Sequence, residues 1–159
     1  KLFGNSYFWV LFKIKKMEYK RIENKIVFRL EMGDRLMESA QKIAAAENIK
    51  LASINGIGAC SRIEMGYLDL SIKEYVFKIF EGNMEILHAT GNITLKDGEP
   101  FPHIHISVAD DTCKAFGGHL NEATISATFE GVMQIIDHEI HREFNEDLGL
   151  ALMNVCGIK

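Results

Sequence analysis

The chain has 159 residues, 47% of them hydrophobic and 25% charged, the proportions of one ordinary globular domain and not of a disordered or membrane-embedded chain. Its net charge of −4 conceals an imbalance: the first sixteen residues hold four lysines and no acid, so residues 17–159 stand at −8, with 14 Lys and Arg against 22 Asp and Glu. Binding to a phosphate backbone is driven by Lys and Arg displacing counterions, so an acidic body without a basic run is a poor nucleic-acid binder by itself.

Residues 1–16 read as foreign to the rest. They carry the apolar run Tyr7-Phe8-Trp9-Val10-Leu11-Phe12, and Met17-Glu18-Tyr19-Lys20 has the look of a natural start. The segment is expected to be upstream or vector-derived, with residues 17–159 as a single domain. The rival reading is a membrane-directed leader, but the run is too short to span a bilayer and lacks a charged region before it and a small-residue cleavage site after it.

Lys25 to Leu30 predicts a first strand. Gly33-Asp34 breaks it, and Asp34 is a good N-cap. From Arg35 the apolar spacing becomes helical, with Leu36, Met37, Ala40, Ile43 and Ala44 on one face, and Asn48 is a suitable C-terminal stop. Beyond it the chain reads as strands. Leu51–Asn55 runs into Gly56-Ile57-Gly58, where two glycines predict a bulge or tight bend. Ile63, Met65 and Tyr67 alternate with polar residues, as do Tyr75, Phe77 and Ile79. In Ile86–Leu95, the set Leu87, Ala89, Ile93 and Leu95 faces one way and His88, Thr90, Asn92 and Thr94 the other. Lys96-Asp97-Gly98-Glu99-Pro100 is a turn. Ala123–Ile136 alternates Ile125, Ala127, Phe129, Met133 and Ile135 against Thr124, Ser126, Thr128 and Glu130, and Phe144–Val155 closes the chain as a helical or extended stretch. One helix followed by antiparallel strands predicts an α+β domain, with the helix packed on one face of a twisted antiparallel sheet.

The chemistry concentrates in Pro102-His103-Ile104-His105 and Gly117-Gly118-His119-Leu120. On a strand, residues i and i+2 share a face. His103 and His105 therefore stand side by side, while Ile104, Ile106 and Val108 fill the opposite face. A turn carrying Gly117 and Gly118 is expected to bring His119 back to them at the open edge of the sheet. Three neutral imidazoles with one coordination position left open suit zinc or another divalent transition metal. The alternative is a pair of ordinary surface histidines. Glu130 is the candidate catalytic residue, as a base on metal-bound water or as an orienting partner of a histidine; otherwise it pairs with an arginine such as Arg142. His88 reads as a strand-face histidine, and His138 and His141 as solvated residues that could share a helix face. Cys113 reads as a buried or partly buried thiol, and Asp110 and Asp111 as residues shaping a turn. Cys60, Cys113 and Cys156 are far apart and form no Cys-x-x-Cys pair, which argues against a disulfide framework and for a reducing, cytoplasmic compartment.

Two stretches resemble the plant-and-prokaryote-conserved (PPC) domain, found beside AT-hooks in plant nuclear proteins and alone in bacteria and archaea. Gly82-Asn83-Met84-Glu85-Ile86-Leu87-His88-Ala89-Thr90-Gly91-Asn92-Ile93 is similar to that family's Gly-Arg-Phe-Glu-Ile-Leu segment. Pro102-His103-Ile104-His105 with Gly117-Gly118-His119-Leu120 is similar to the signature of its prokaryotic members. The similarity spans residues 24–155. It implies an α+β fold assembled as a homotrimer, a metal at His103, His105 and His119, and a DNA-binding or transcription-related role. Asn83-Met84 departs from the plant-like Arg-Phe, and no Arg-Gly-Arg-Pro AT-hook is present.

Three functions compete. The first is a regulatory module whose metal site takes a small-molecule ligand, with DNA as a further partner. The second is a metalloenzyme of hydrolase or lyase type, acting through water on the open position. The third is a metal of purely structural use. No Gly-x-Ser-x-Gly, P-loop or His-Glu-x-x-His motif is present, so the first is the favoured reading.

Overall fold

A computed structural model describes residues 18–155; the expected upstream segment and Cys156 lie outside them. The described residues form eight strands and one helix. β1 (Glu18–Ile22) and β2 (Lys25–Glu31) make a hairpin, β1 being a strand that the sequence reading did not anticipate. Helix α1 (Leu36–Ala46) follows, then four long strands, β3 (Ala52–Asp69), β4 (Glu74–Lys96), β5 (Glu99–Ala109) and β6 (Ala115–Ile135). A short hairpin of β7 (Arg142–Asn145) and β8 (Leu150–Met153) ends the described chain. This hairpin replaces the single helical or extended stretch expected over 144–155.

Every pairing within the main sheet is antiparallel, in the order β1-β2-β6-β3-β4-β5. β5 also pairs back onto β6. The edge expected to be open is therefore closed at one end, where β6, β3, β4 and β5 form a circuit. Closure of this kind removes unpaired strand edges, and it is made possible by the length of β6, which pairs with β5 near its start and with β2 and β3 further on.

The periodicity of the sequence is realised in the core. Ile26, Phe28 and Leu30 of β2, Leu36, Ala40, Ile43 and Ala44 of α1, and Ile104, Ile106 and Val108 of β5 all turn inward with Leu120, Ile125, Phe129 and Met133 of β6. The Phe28 and Phe129 rings meet at 5.8 Å. Asn48 adopts φ 52° just past the helix end, the left-handed stop its side chain tolerates. The predicted irregularity at Gly56–Gly58 is a register shift in β3.

Four local readings are corrected. Asp34 does not cap the helix: its carboxylate accepts from the Glu31 backbone N–H at 2.8 Å. The N-terminal amides are met from across the fold by Glu122 of β6, which accepts from Met37 N at 2.8 Å and Glu38 N at 3.3 Å. Leu87 is exposed, because the ladder slips between Ile86 and His88 and turns that residue outward. Ala127 is exposed as well, within the stretch where the β3–β6 register shifts between Gly58 and Cys60. Gly117 and Gly118 are not a turn but lie within β6. The turn is Asp110–Lys114, where the Asp110 carboxylate accepts from the Thr112 hydroxyl and from the Thr112 and Lys114 amides.

Candidate metal centre

β5 presents His103 and His105 on the face opposite its core residues, as alternation requires. β6 presents His119 directly across the ladder from His105. This pair sits where β6 passes between β5 and β3, His119 being also registered opposite Gly66. Such close passage explains the two glycines. A Cβ on Gly117 would lie 2.3 Å from the Ile106 carbonyl oxygen, and one on Gly118 2.6 Å from that of Gly66. What the pair supplies is room for a third strand, not the freedom to turn.

The three rings converge. Centroids are 5.3 Å apart for His103 and His105, 4.9 Å for His103 and His119, and 5.4 Å for His105 and His119. One ring nitrogen from each lies within 4.8 Å of the others. His103 Nε2 and His119 Nδ1 are buried and have no hydrogen-bond partner. A buried nitrogen without a partner carries a desolvation cost, which a bound cation would relieve. Burial, the nearby Arg142 guanidinium and His105 push the His103 imidazole down to about 4. Burial, His103, His105 and Arg142 do the same to His119, again to about 4. Both rings are thus neutral at ordinary pH, the form that binds metal.

The surrounding residues came from unexpected places. Arg142 of β7 reaches from the terminal hairpin, donating from Nε to the Thr94 hydroxyl at 2.8 Å, from Nη1 to the Ala151 carbonyl at 3.0 Å and from Nη2 to Asn92 Oδ1 at 2.9 Å. The same Nη2 lies 3.2 Å from His103 Nδ1. The ring of Tyr75 in β4 stacks on His119 at 4.2 Å, with an interplanar angle of 25°. The Tyr75/Phe77 alternation was legible as a strand; nothing in the spacing of Arg142 linked it to a histidine 39 positions earlier.

The remaining candidates fall elsewhere. Glu130 lies eleven positions along β6 from His119, registered opposite Arg29 and Ile57. It lines a groove with Tyr19, Ile22, Val27 and Val132, and Arg142 is not its partner. Cys113 is exposed, at φ 61° in the Asp110 turn, and is not buried as expected. Cys60 is buried, and burial, with Glu85, pushes its thiol up to about 11. His138 and His141 share no helix; His141 pairs with Glu139 at 3.2 Å. His88 is exposed and, with Thr90, His105, Ser107, Gly117 and Gly118, lines a small groove of about 190 Å³. Among the described residues, the only cluster able to hold a metal is His103, His105 and His119, and no helix is long and apolar enough to cross a membrane.

Residues 17–137 match the Plants and Prokaryotes Conserved (PCC) domain. The chain belongs to that family. Solved members of similar fold include a PPC protein of Pyrococcus horikoshii, 32% identical with a TM-score of 0.77, the match covering 87% of this chain and 94% of that one. A metal-containing protein of Archaeoglobus fulgidus is 33% identical with a TM-score of 0.76, covering 88% of this chain and 99% of that one. A candidate DNA-binding protein of Bacteroides thetaiotaomicron is 30% identical with a TM-score of 0.84, covering 87% and 96%. No curated protein matches the chain. The described residues of the PPC chain thus carry the family's antiparallel sheet with a single helix.

Proposed function

We propose that this PPC protein is a metal-binding module, with His103, His105 and His119 holding zinc or another divalent transition metal. The observation that carries the reading is the meeting of three imidazoles with two buried nitrogens left without partners. Zinc is the natural occupant of three histidines with one position open, and the metal-containing Archaeoglobus relative adds support. When bound, the metal would offer a Lewis-acidic position to a small ligand; Tyr75, stacked on His119, would hold one of the rings that present it. Elemental analysis of protein purified without a His-tag tests the reading. About one metal per chain is expected, lost in His119→Ala; a metal-free preparation that takes up no zinc on addition would refute it.

The module would work as a homotrimer in a regulatory, DNA-related role within the cytoplasm. The family resemblance supports the trimer, as does an outer sheet face carrying Val27, Ile57 and Val132, each exposed. The role rests on the candidate DNA-binding relatives. The net charge of −8 over residues 17–159 argues that any nucleic acid is met through a partner or at low affinity. The metalloenzyme reading gains no support: among the described residues the histidine cluster includes no carboxylate to act as base, and Glu130 faces a different groove.

A further inference from the structure

We infer that metal occupancy is read out by the β7–β8 hairpin, with the contact between Arg142 and His103 as its latch: the metal-free site holds the hairpin down, and loading loosens it. The inference rests on the metal reading above and names how that site would regulate. A guanidinium only donates, so across the 3.2 Å between Arg142 Nη2 and His103 Nδ1 the ring nitrogen is the acceptor. A neutral imidazole has one N–H, which this contact places on Nε2. That is the buried nitrogen without a partner, the one the metal reading assigns to the cation. The metal-free ring thus keeps its proton where a metal would bind. In the loaded site Nε2 needs its lone pair. Its proton passes to water and Nδ1 takes one from water, so the ring stays neutral and the proton count is unchanged. Nδ1–H and Nη2–H then confront each other, and a buried donor left without an acceptor is costly. Arg142 must draw back from His103, which leaves Nδ1–H free to find the acceptor that a ligating histidine normally has.

The same side chain fastens the hairpin to the sheet. Arg142 is the first residue of β7. Its Nε donates to Thr94 and its Nη2 to Asn92, both of β4, while Nη1 holds the Ala151 carbonyl of β8. Nη2 serves Asn92 and His103 together, so a movement that opens one contact disturbs the other. Burial does little to hold the hairpin in place. No residue from 142 to 155 is buried, and Phe144, Leu148 and Leu152 stand exposed. Lys73 adds one surface hydrogen bond, from Nζ to the Glu146 carbonyl at 3.0 Å. A two-stranded hairpin alone is marginal in water, and an element with few buried apolar contacts opens at low cost. Metal binding and hairpin docking are therefore linked, and the linkage is reciprocal: by whatever factor the docked hairpin weakens metal binding, the metal weakens docking.

The test uses the full chain with and without zinc. Nitrogen-15 spectra of histidine-labelled protein should place the His103 proton on Nε2 in the metal-free protein and on Nδ1 after loading. Hydrogen exchange at the Arg142–Asn145 and Leu150–Met153 amides should speed up about fivefold or more with zinc, the usual range of coupling between sites, while exchange in β5 does not. Arg142→Met, which keeps the stem and removes the donors, should bind zinc about tenfold more tightly, with hairpin exchange that no longer responds to the metal. A metal-free ring already protonated on Nδ1 overturns the inference, as does a loaded ring with neither nitrogen protonated, since it could go on accepting from Arg142. Hairpin exchange unchanged or slowed by zinc overturns it too, and so does an Arg142→Met protein that binds zinc no more tightly. Should Arg142→Met fail to fold, the wild-type spectra and exchange still decide the matter. Zinc uptake separates the two readings. Uptake without these responses removes only the inference, whereas failure to take up zinc removes the metal site and the inference with it.

Discussion

At the scale of single residues, the candidate centre is held ready by burial. His103 and His119 are each lowered from 6.5 to about 4, burial being the largest cause. The folded protein therefore binds fewer protons than the unfolded chain between about pH 4 and 6.5, and stability falls as pH drops through that window. Denaturant unfolding of the metal-free protein should show this loss between pH 6.5 and 4.5, and His103→Leu should show a smaller one. Equal slopes in the two proteins would mean that the His103 proton is not coupled to folding. A second prediction concerns Gly91, which is registered opposite Ile104 of β5 with no room for a side chain: a Cβ would stand 2.0 Å from the His103 carbonyl oxygen. Gly91→Ala should cost about 1–3 kcal/mol in chemical denaturation, the range of overpacked cores, and should weaken zinc binding by pushing β5 outward. Unchanged stability would show that the strands part at no cost.

At the scale of elements, the helix depends on a residue 84 positions beyond its first turn. Glu122 is almost wholly buried and holds the Met37 and Glu38 amides, with Arg35 Nε at 3.3 Å. It thus does the work of a local N-cap from another element. Glu122→Ala should destabilise the protein by about 1–2 kcal/mol, the cost of a lost cap, while Asp34→Ala should leave the helix N-terminus intact and loosen only the Glu31 turn. Amide exchange at Met37 and Glu38 distinguishes the two variants. The β7–β8 hairpin is a comparable case. The segment leading into it is joined to β4 by the Leu95–Ile140 backbone bond, and the hairpin itself by Arg142 on Thr94, so shortening the chain before Arg142 should remove a site residue along with the hairpin. Strand periodicity found β2 and the long strands, because a half-buried strand writes its buried face into every second residue. It missed β1, whose residues are mostly exposed and leave no alternation to read, and it misplaced Leu87 and Ala127, because a register slip inverts the pattern locally.

For the whole molecule, assembly and charge carry the predictions. If the outer face bearing Val27, Ile57 and Val132 is a subunit contact, light scattering should find a trimer, and Val132→Glu should shift it toward monomer with the fold retained. A monomeric wild-type protein would remove the assembly from the functional reading. DNA affinity, if present, should be weak at physiological salt, given the net of −8 over residues 17–159.

Two things were written in the chain itself: the α+β class, and the three histidines as a group. Both rest on local chemistry, since alternation, helical spacing and side-chain type are properties of near neighbours. That the rings meet was decided only by tertiary structure, through β6 folding back to pair with β5 while its glycines let β3 pass alongside. The same folding brought Arg142 and Tyr75 to the site and left Glu130 away from it, because contacts between distant strands are set by register and closure, which no short stretch of sequence records.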